Sequence, residues 1–319
     1  MERDMLAINV VAFLGLILML GMYVLTARYM RQPAVQQTGK GKKKAAGRAA
    51  AVSTQEKNIG LTIFATVMIV AFLMRIIIAG IHKGHETDMN CFLLWGDMVY
   101  NDGIHNFYTS PSFTDYPPGY MYILYVIGWL RSIFGISWDS VTSIIMTKMP
   151  AILADLGTGY LIYRVASNKM KETGAALLSA VYLFCPVVVL DSVVWGQTDA
   201  VFTFFIALMC YLVTQKKMIA SYYVFAVAIL IKPQSLIFTP VLIYAIIDQV
   251  ILEDFSWQRF FKHLGLGLLA IVMIALLMVP FHFQAAFSQY KDTMGSYEYA
   301  SVNAYNFWTL CGLNWAAQS

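Results

Sequence analysis

The chain alternates long apolar runs with short polar punctuation. Runs with few or no charges fall at 5–27, 59–81, 119–134, 141–165, 174–190, 199–214, 218–231, 234–250 and 263–281. A helix rises about 1.5 Å per residue and a bilayer core is ~30 Å thick, so the longer runs are of spanning size. The pattern predicts an all-α, polytopic transmembrane helical protein. Two runs stand apart. The 59–81 run is interrupted by Arg75, and 119–134 is short, starts at a proline pair and holds Trp129 and Arg131. One long polar interval, 82–120, separates these two runs and is rich in carboxylates, histidines and aromatics. A solvated loop of that length is costly to order without a job, and it is expected to roof a site at the membrane surface.

Composition narrows the class. The chain is 59% hydrophobic and 13% charged, well below the charged fraction of soluble domains, so lipid is its solvent. The 5–27 run lacks a small-residue cleavage pattern and reads as a span that stays. The net charge of +4 is local: Arg28, Arg31, Lys40, Lys42, Lys43, Lys44, Arg48 and Lys57 face Glu56 alone in 28–58. That stretch is expected to be a disordered cytoplasmic linker drawn to anionic membrane lipids. The remainder is slightly acidic, so no nucleic-acid surface is implied. The expected organisation is an additional N-terminal transmembrane helix at 1–27, a basic cytoplasmic linker at 28–58 and a transmembrane module at 59–319. Of four scattered cysteines without a CxxC, Cys185 and Cys210 lie in apolar runs and point to packing, Cys91 and Cys311 could meet on one face, and no redox compartment follows.

Topology follows from the positive-inside rule. With 28–58 inside, the 82–120 interval lies outside. If 119–134 dips or lies flat instead of crossing, Lys169, Lys171, Lys216 and Lys217 fall inside. The polar clusters near 195–199 and 232–234, and everything after about 281, then gather on the outer side.

Several residues there could carry chemistry. Asp88, just past a span, suits a general base, or is a solvated loop acid. In Asp115-Tyr116-Pro117-Pro118 the prolines fix the backbone and hold Asp115 and the Tyr116 ring at a helix mouth, although proline at a helix start is often a plain cap. Trp195, Gln197 and Asp199 offer a stacking face and hydroxyl partners, with N-capping as the alternative for Asp199. Lys232 and Gln234 sit at a helix break, where a cation could hold a lipid phosphate or snorkel to the interface. Asn303, Asn306 and Trp308 suit carbohydrate or headgroup binding. Asp155, in mid-span, is expected to pair with Arg75, Lys148 or Arg164. His82, His85 and Asp88 have a spacing that recurs by chance, and no metal site is assigned.

An acid in the first outer loop, DYPP, WGQTD, KPQ and SVNAYNFW together resemble the GT-C superfamily of membrane glycosyltransferases. The resemblance covers roughly 59–308, is nearest to bacterial mannosyltransferase-related proteins and extends more distantly to dolichol-dependent glucosyltransferases. It implies a hexosyltransferase moving sugar from a polyprenyl-phosphate donor to a glycan, lipid or protein acceptor on the extracytoplasmic face. It places the protein in the bacterial plasma membrane with an outward-facing site. By that analogy Asp88 is the catalytic base of an inverting transfer, and Asp115, Tyr116, Trp195, Gln197, Asp199, Lys232, Gln234, Asn303, Asn306 and Trp308 bind substrate, with no metal or cofactor. The resemblance also implies further spans after Ser319. A transporter or flippase of a polar or lipid-linked solute is the alternative, since broken helices with charges at membrane depth serve transport as well.

Overall fold

The computed structural model describes residues 42–252, 255–295, 299, 301 and 307–317. The expected span at 5–27 and the first part of the basic linker lie outside the described residues. Helix α1, Lys42–Ile81, begins well before the apolar run that predicts it. Residues 42–58 are therefore helical, contrary to the expected disordered linker. The physical reason is local: alanine, lysine, arginine, glutamine and glutamate dominate this stretch, and all are strong helix formers.

The 82–120 interval is also more ordered than a loop. It folds into α2, Glu86–Asp97, then a π-turn at Met98–Asp102 and a 3-10 turn at Ile104–Thr109. Met89, Phe92, Leu93 and Gly96 recur at helical spacing and are all buried, giving α2 an inward face. Helix α3, Pro118–Ile133, starts with Pro117 at its N-cap and Pro118 in the first turn, where a missing N–H costs nothing. The two helices cross closely at glycines: a Cβ on Gly128 would stand 2.4 Å from the Gly96 carbonyl.

Helix α4, Val141–Ala166, is the centre of the bundle. It packs against α1, against α5 at Glu172–Leu183 and against α6 at Asp199–Thr214. Helix α7, Met218–Ile231, returns along α6 and meets α9, Trp257–Met278. Between them α8, Thr239–Ile247, continues the 3-10 turn Pro233–Phe238. Helix α10, Phe283–Gly295, follows α9.

Among the described residues, Glu56–Ile81, Pro233–Val250 and Trp257–Phe281 are long and apolar enough to cross a membrane. Glu172–Leu183 and Pro186–Trp195, bent by 51° at a short break, pass the same test together, as a broken span or a re-entrant loop. Burial runs in the sense lipid demands. Leu61, Ile69, Leu73 and Ile77 of α1, and Leu268, Ile271 and Leu276 of α9, point outward. Arg75, Lys148 and Asp155 are sealed inside. The protein is an all-α, integral, multi-pass membrane protein.

Asp155 finds Arg75, one of its three expected partners. Arg75 Nε donates to Asp155 Oδ2 at 3.1 Å, Ser192 Oγ to the same oxygen at 2.7 Å and Tyr182 to Oδ1 at 3.3 Å. The pair fastens α1 to α4 and to the broken segment. Lys148 does the same nearer the surface: its ammonium donates to the carbonyls of His82 and Val193, both at 2.7 Å. Those two carbonyls sit where α1 ends and near the end of the bent pair, so Lys148 fixes the two backbones that carry the candidate site.

Candidate functional site

The site is assembled where those two ends meet. Gly84, at φ +104°, and Gly196, at φ +91°, make the turns after α1 and after Leu190–Trp195. Both conformations favour glycine. Space requires it too, since a Cβ on Gly84 would lie 2.4 Å from the Trp195 carbonyl and one on Gly196 2.6 Å from Met89 Sδ. The His85 amide then donates to the Trp195 carbonyl at 2.7 Å. The Asp191 carbonyl accepts from the Gly196 and Gln197 amides at 3.1 and 3.0 Å. These bonds place Trp195 and Gln197 directly over the first turn of α2.

Asp88 lies in that turn, where the helix dipole favours a carboxylate. Its Oδ2 accepts from Gln197 Nε2 at 2.6 Å and Trp195 Nε1 at 2.7 Å, with His85 Nδ1 at 3.3 Å. The His85 ring stacks on Trp195, 4.9 Å between centroids and 15° between planes, and both side chains are about half exposed. Asp88 Oδ1 has no hydrogen-bond partner among the described residues. One oxygen is thus used to fix the carboxylate and the other faces outward beside an open aromatic pair.

A relay orients this arrangement from behind. Thr198 Oγ1 donates to the Tyr116 hydroxyl at 3.5 Å, and Tyr116 donates to Gln197 Oε1 at 3.3 Å. With its oxygen occupied, the Gln197 amide turns its NH2 to Asp88. Burial pushes the Tyr116 hydroxyl well up, and the Asp199, Asp115 and Asp88 carboxylates add to that, so it stays a donor. Tyr116 is held in turn by the Tyr108 hydroxyl, which donates to the Tyr116 carbonyl at 2.6 Å, and by edge contacts to Phe92. Burial, together with Asp88, raises the Asp115 carboxyl above its ordinary range, while its own backbone hydrogen bond and Lys232 pull it back. Asp115 Oδ1 is buried without a partner among the described residues.

Lys232 caps the end of α7, and its ammonium pairs with the Asp199 carboxylate and lies 5.6 Å from the Phe202 ring centroid. Sequence reasoning treated these two as separate ligands for sugar and phosphate, whereas the structure gives them to each other first. Gln234 is exposed on the 3-10 turn and Trp308 on the short helix Phe307–Leu310. No hydrogen bond or ring contact ties either to Asp88 among the described residues. Asn303 and Asn306 lie outside the described residues. His85 and Thr198 were missing from the expected set. His85 entered only through the His82, His85, Asp88 metal spacing and not as a partner of the Asp88 carboxylate, whereas nothing in the sequence marks Thr198 apart from its place in WGQTD.

A family model described as GPI transamidase subunit PIG-U matches residues 96–306. The chain belongs to the PIG-U family. No curated protein matches the chain. The match covers Tyr116, Gln197, Asp199 and Lys232 and begins eight residues after Asp88.

Membership in the PIG-U family corrects the functional expectation. The protein is not assigned as a glycosyltransferase using a lipid-phosphate sugar, nor as a transporter or flippase. Asp88 therefore loses its role as general base, and the polyprenyl-phosphate donor is withdrawn as a partner. The GT-C likeness survives at the level of a distantly similar multi-pass membrane scaffold. Nothing in the match supports a bacterial plasma membrane. The physical source of the error is visible in the site. DYPP is a helix start, KPQ a helix break and WGQTD a tight turn onto a helix, and each does that work whether or not a sugar is transferred.

Proposed function

We propose that the chain is a non-catalytic membrane subunit of a GPI transamidase-type assembly, and that the Asp88 cluster binds the glycan–inositol headgroup of the lipid anchor. The observation that carries this is the divided use of Asp88: one oxygen pinned by Trp195, Gln197 and His85, the other open beside a stacked aromatic face. Sugar and inositol hydroxyls donate well to a fixed carboxylate, and their C–H faces pack on indole. The family's description as a transamidase subunit supplies the class of lipid. Its setting is the endoplasmic reticulum membrane of that family.

The nucleophile of such a reaction belongs to another subunit on this reading. Cys91 shares α2 with Asp88, but burial raises its thiol, and Asp115 and Asp88 raise it further. An attacking cysteine needs the opposite environment, one that favours thiolate. Asp115, Tyr116 and Gln197 act as supports for Asp88, and the Asp199–Lys232 pair forms the neighbouring edge.

The test is retention of a GPI glycolipid by the full chain in phosphatidylcholine nanodiscs, counted by native mass spectrometry against phosphatidylinositol lacking the glycan. A charge-assisted hydrogen bond contributes about 1.5–3 kcal/mol, so Asp88→Asn should weaken glycolipid retention by at least about tenfold. Phosphatidylinositol, which offers the inositol hydroxyls without the glycan, should lose less retention than the glycolipid does. Equal retention of the glycolipid by both proteins refutes the assignment.

A further inference from the structure

At the other end of α6 and α7 lies a cavity that the headgroup site does not use. Its volume is about 570 Å³, and its walls come from the α6–α7 turn, the start of α7, the end of the α8 segment and the second turn of α9. From Asp199 to this turn α6 runs 16 residues, about 24 Å of helix. The cavity therefore opens near the membrane face opposite the Asp88 cluster.

Its lining is cationic. Lys216, Lys217 and Lys262 all line it, and no carboxylate does among the described residues. Asp248 precedes the lining residue Gln249 but is not itself on the wall. The backbone adds to the charge. Met218, Ile219 and Ala220 are the first three residues of the 14-residue helix α7, and all line the cavity. Their amides have no intrahelical acceptor, and the N-cap Lys217 contributes no side-chain cap. The ammonium groups of Lys217 and Lys262 and the open amides thus converge at the positive end of a helix dipole.

A histidine shapes the same wall. His263 is more than nine-tenths buried yet lines the cavity. Its Nδ1 is engaged by the Tyr222 hydroxyl at 3.3 Å, and its Nε2 has no hydrogen-bond partner among the described residues. Tyr223 and Gln249 bring a hydroxyl and an amide to the same wall. Arg259 holds that wall in place, its Nη1 donating to the Gln249 carbonyl at 3.0 Å.

The turn itself is closed by two backbone hydrogen bonds. The Lys216 amide donates to the Val213 carbonyl and the Lys217 amide to the Leu212 carbonyl, both at 2.9 Å. This is a Schellman ending with Lys216 in the left-handed position, at φ +55°. Glycine is the usual residue there because a Cβ is penalised. A lysine in that place sets its side chain beside the mouth of the cavity.

We infer that this cavity is a binding site for the phosphate-bearing headgroup of an anionic phospholipid in the leaflet opposite the Asp88 cluster. Basic pockets between transmembrane helices take headgroups of this kind, and the cavity has the volume of a small-ligand site. The lipid source is favoured over a free anion because the cavity sits at the ends of lipid-facing helices, with Ile219 of its lining half exposed and Phe260, Phe261 and Leu264 exposed on adjoining α9.

The experiment uses the full chain in phosphatidylcholine nanodiscs with a minor fraction of phosphatidylinositol phosphate. Lipid retained through delipidating detergent exchange is counted by native mass spectrometry. The wild type should hold the anionic lipid in a saturable, one-to-one manner. Lys217→Gln with Lys262→Gln should lower retention by at least about tenfold. The Lys217→Arg, Lys262→Arg protein, which keeps the charge, should hold lipid like the wild type and shows that the fold tolerates change there. Lys83→Gln, at the other end of the bundle, should leave retention unchanged. Two results overturn the inference: equal retention by the neutral and the charged proteins, or a lysine-dependent response to inorganic phosphate without retention of the lipid. Neither result bears on the Asp88 reading, which concerns another face and another ligand.

Discussion

The buried pair of Arg75 and Asp155 sets a quantitative expectation for stability. Both side chains are essentially inaccessible, at 0% and 1%, and their Nε–Oδ2 contact is 3.1 Å. Asp155 has further donors in Ser192 and Tyr182, while Arg75 has a 3.4 Å bond from Nη1 to the Ala71 carbonyl and leaves Nη2 unpaired. The arginine therefore depends on the carboxylate more than the carboxylate depends on it. Asp155→Ala strands a buried guanidinium and should cost about 3–5 kcal/mol. Arg75→Leu leaves a carboxylate with two hydroxyl donors and should cost less, roughly 2–3 kcal/mol. Removing both charges with Arg75→Leu and Asp155→Ala should cost less than the sum of the singles, because no orphaned charge remains. The assay is SDS-induced unfolding of the four proteins in mixed micelles, read as a double-mutant cycle. Strict additivity, or a loss under about 1 kcal/mol for Asp155→Ala, refutes the view that this pair clamps α1 to α4.

Two further outcomes follow from the site. Gly196→Ala forces a side chain into a φ of +91° and to 2.6 Å from Met89 Sδ. It should displace Trp195 and Gln197 and weaken glycolipid retention as much as Asp88→Asn does; unchanged retention argues against a preset site. The Asp115 carboxyl, raised mainly by burial, holds its proton more tightly folded than unfolded. Stability attached to it is fully present below the unfolded value of about 3.8 and is lost as pH rises through the higher folded value. Asp115→Asn should remove that loss, so its stability relative to wild type should increase across this window in thermal unfolding scans. A constant difference at all pH values contradicts the assignment.

The spans were legible because lipid demands a crude signal, and the helices at 59–81, 234–250 and 263–281 needed nothing more than length and apolarity. The 82–120 interval was misjudged as loop because its polar content is high, although Met89, Phe92, Leu93 and Gly96 carry a helical period that could have been counted. At the site, Asp88, Tyr116, Trp195 and Gln197 were named from the chain and are joined in space by hydrogen bonds. Their partners were harder. Nothing local tells Lys232 that Asp199, 33 residues away, will occupy its ammonium, and so it was taken for an open phosphate ligand. The reaction was misjudged for a related reason: a fixed carboxylate beside an aromatic face looks the same whether it deprotonates a sugar hydroxyl or merely binds one.

That distinction is open to direct measurement. Tagged wild-type and Asp88→Asn chains would each be isolated with their associated subunits from native membranes, and GPI transfer to a reporter protein followed as a function of glycolipid concentration. A binding role predicts intact assembly, a KM for the glycolipid raised at least about tenfold, and a kcat close to wild type at saturation. An assembly whose kcat collapses while KM is unchanged would place Asp88 in the chemistry and contradict the account.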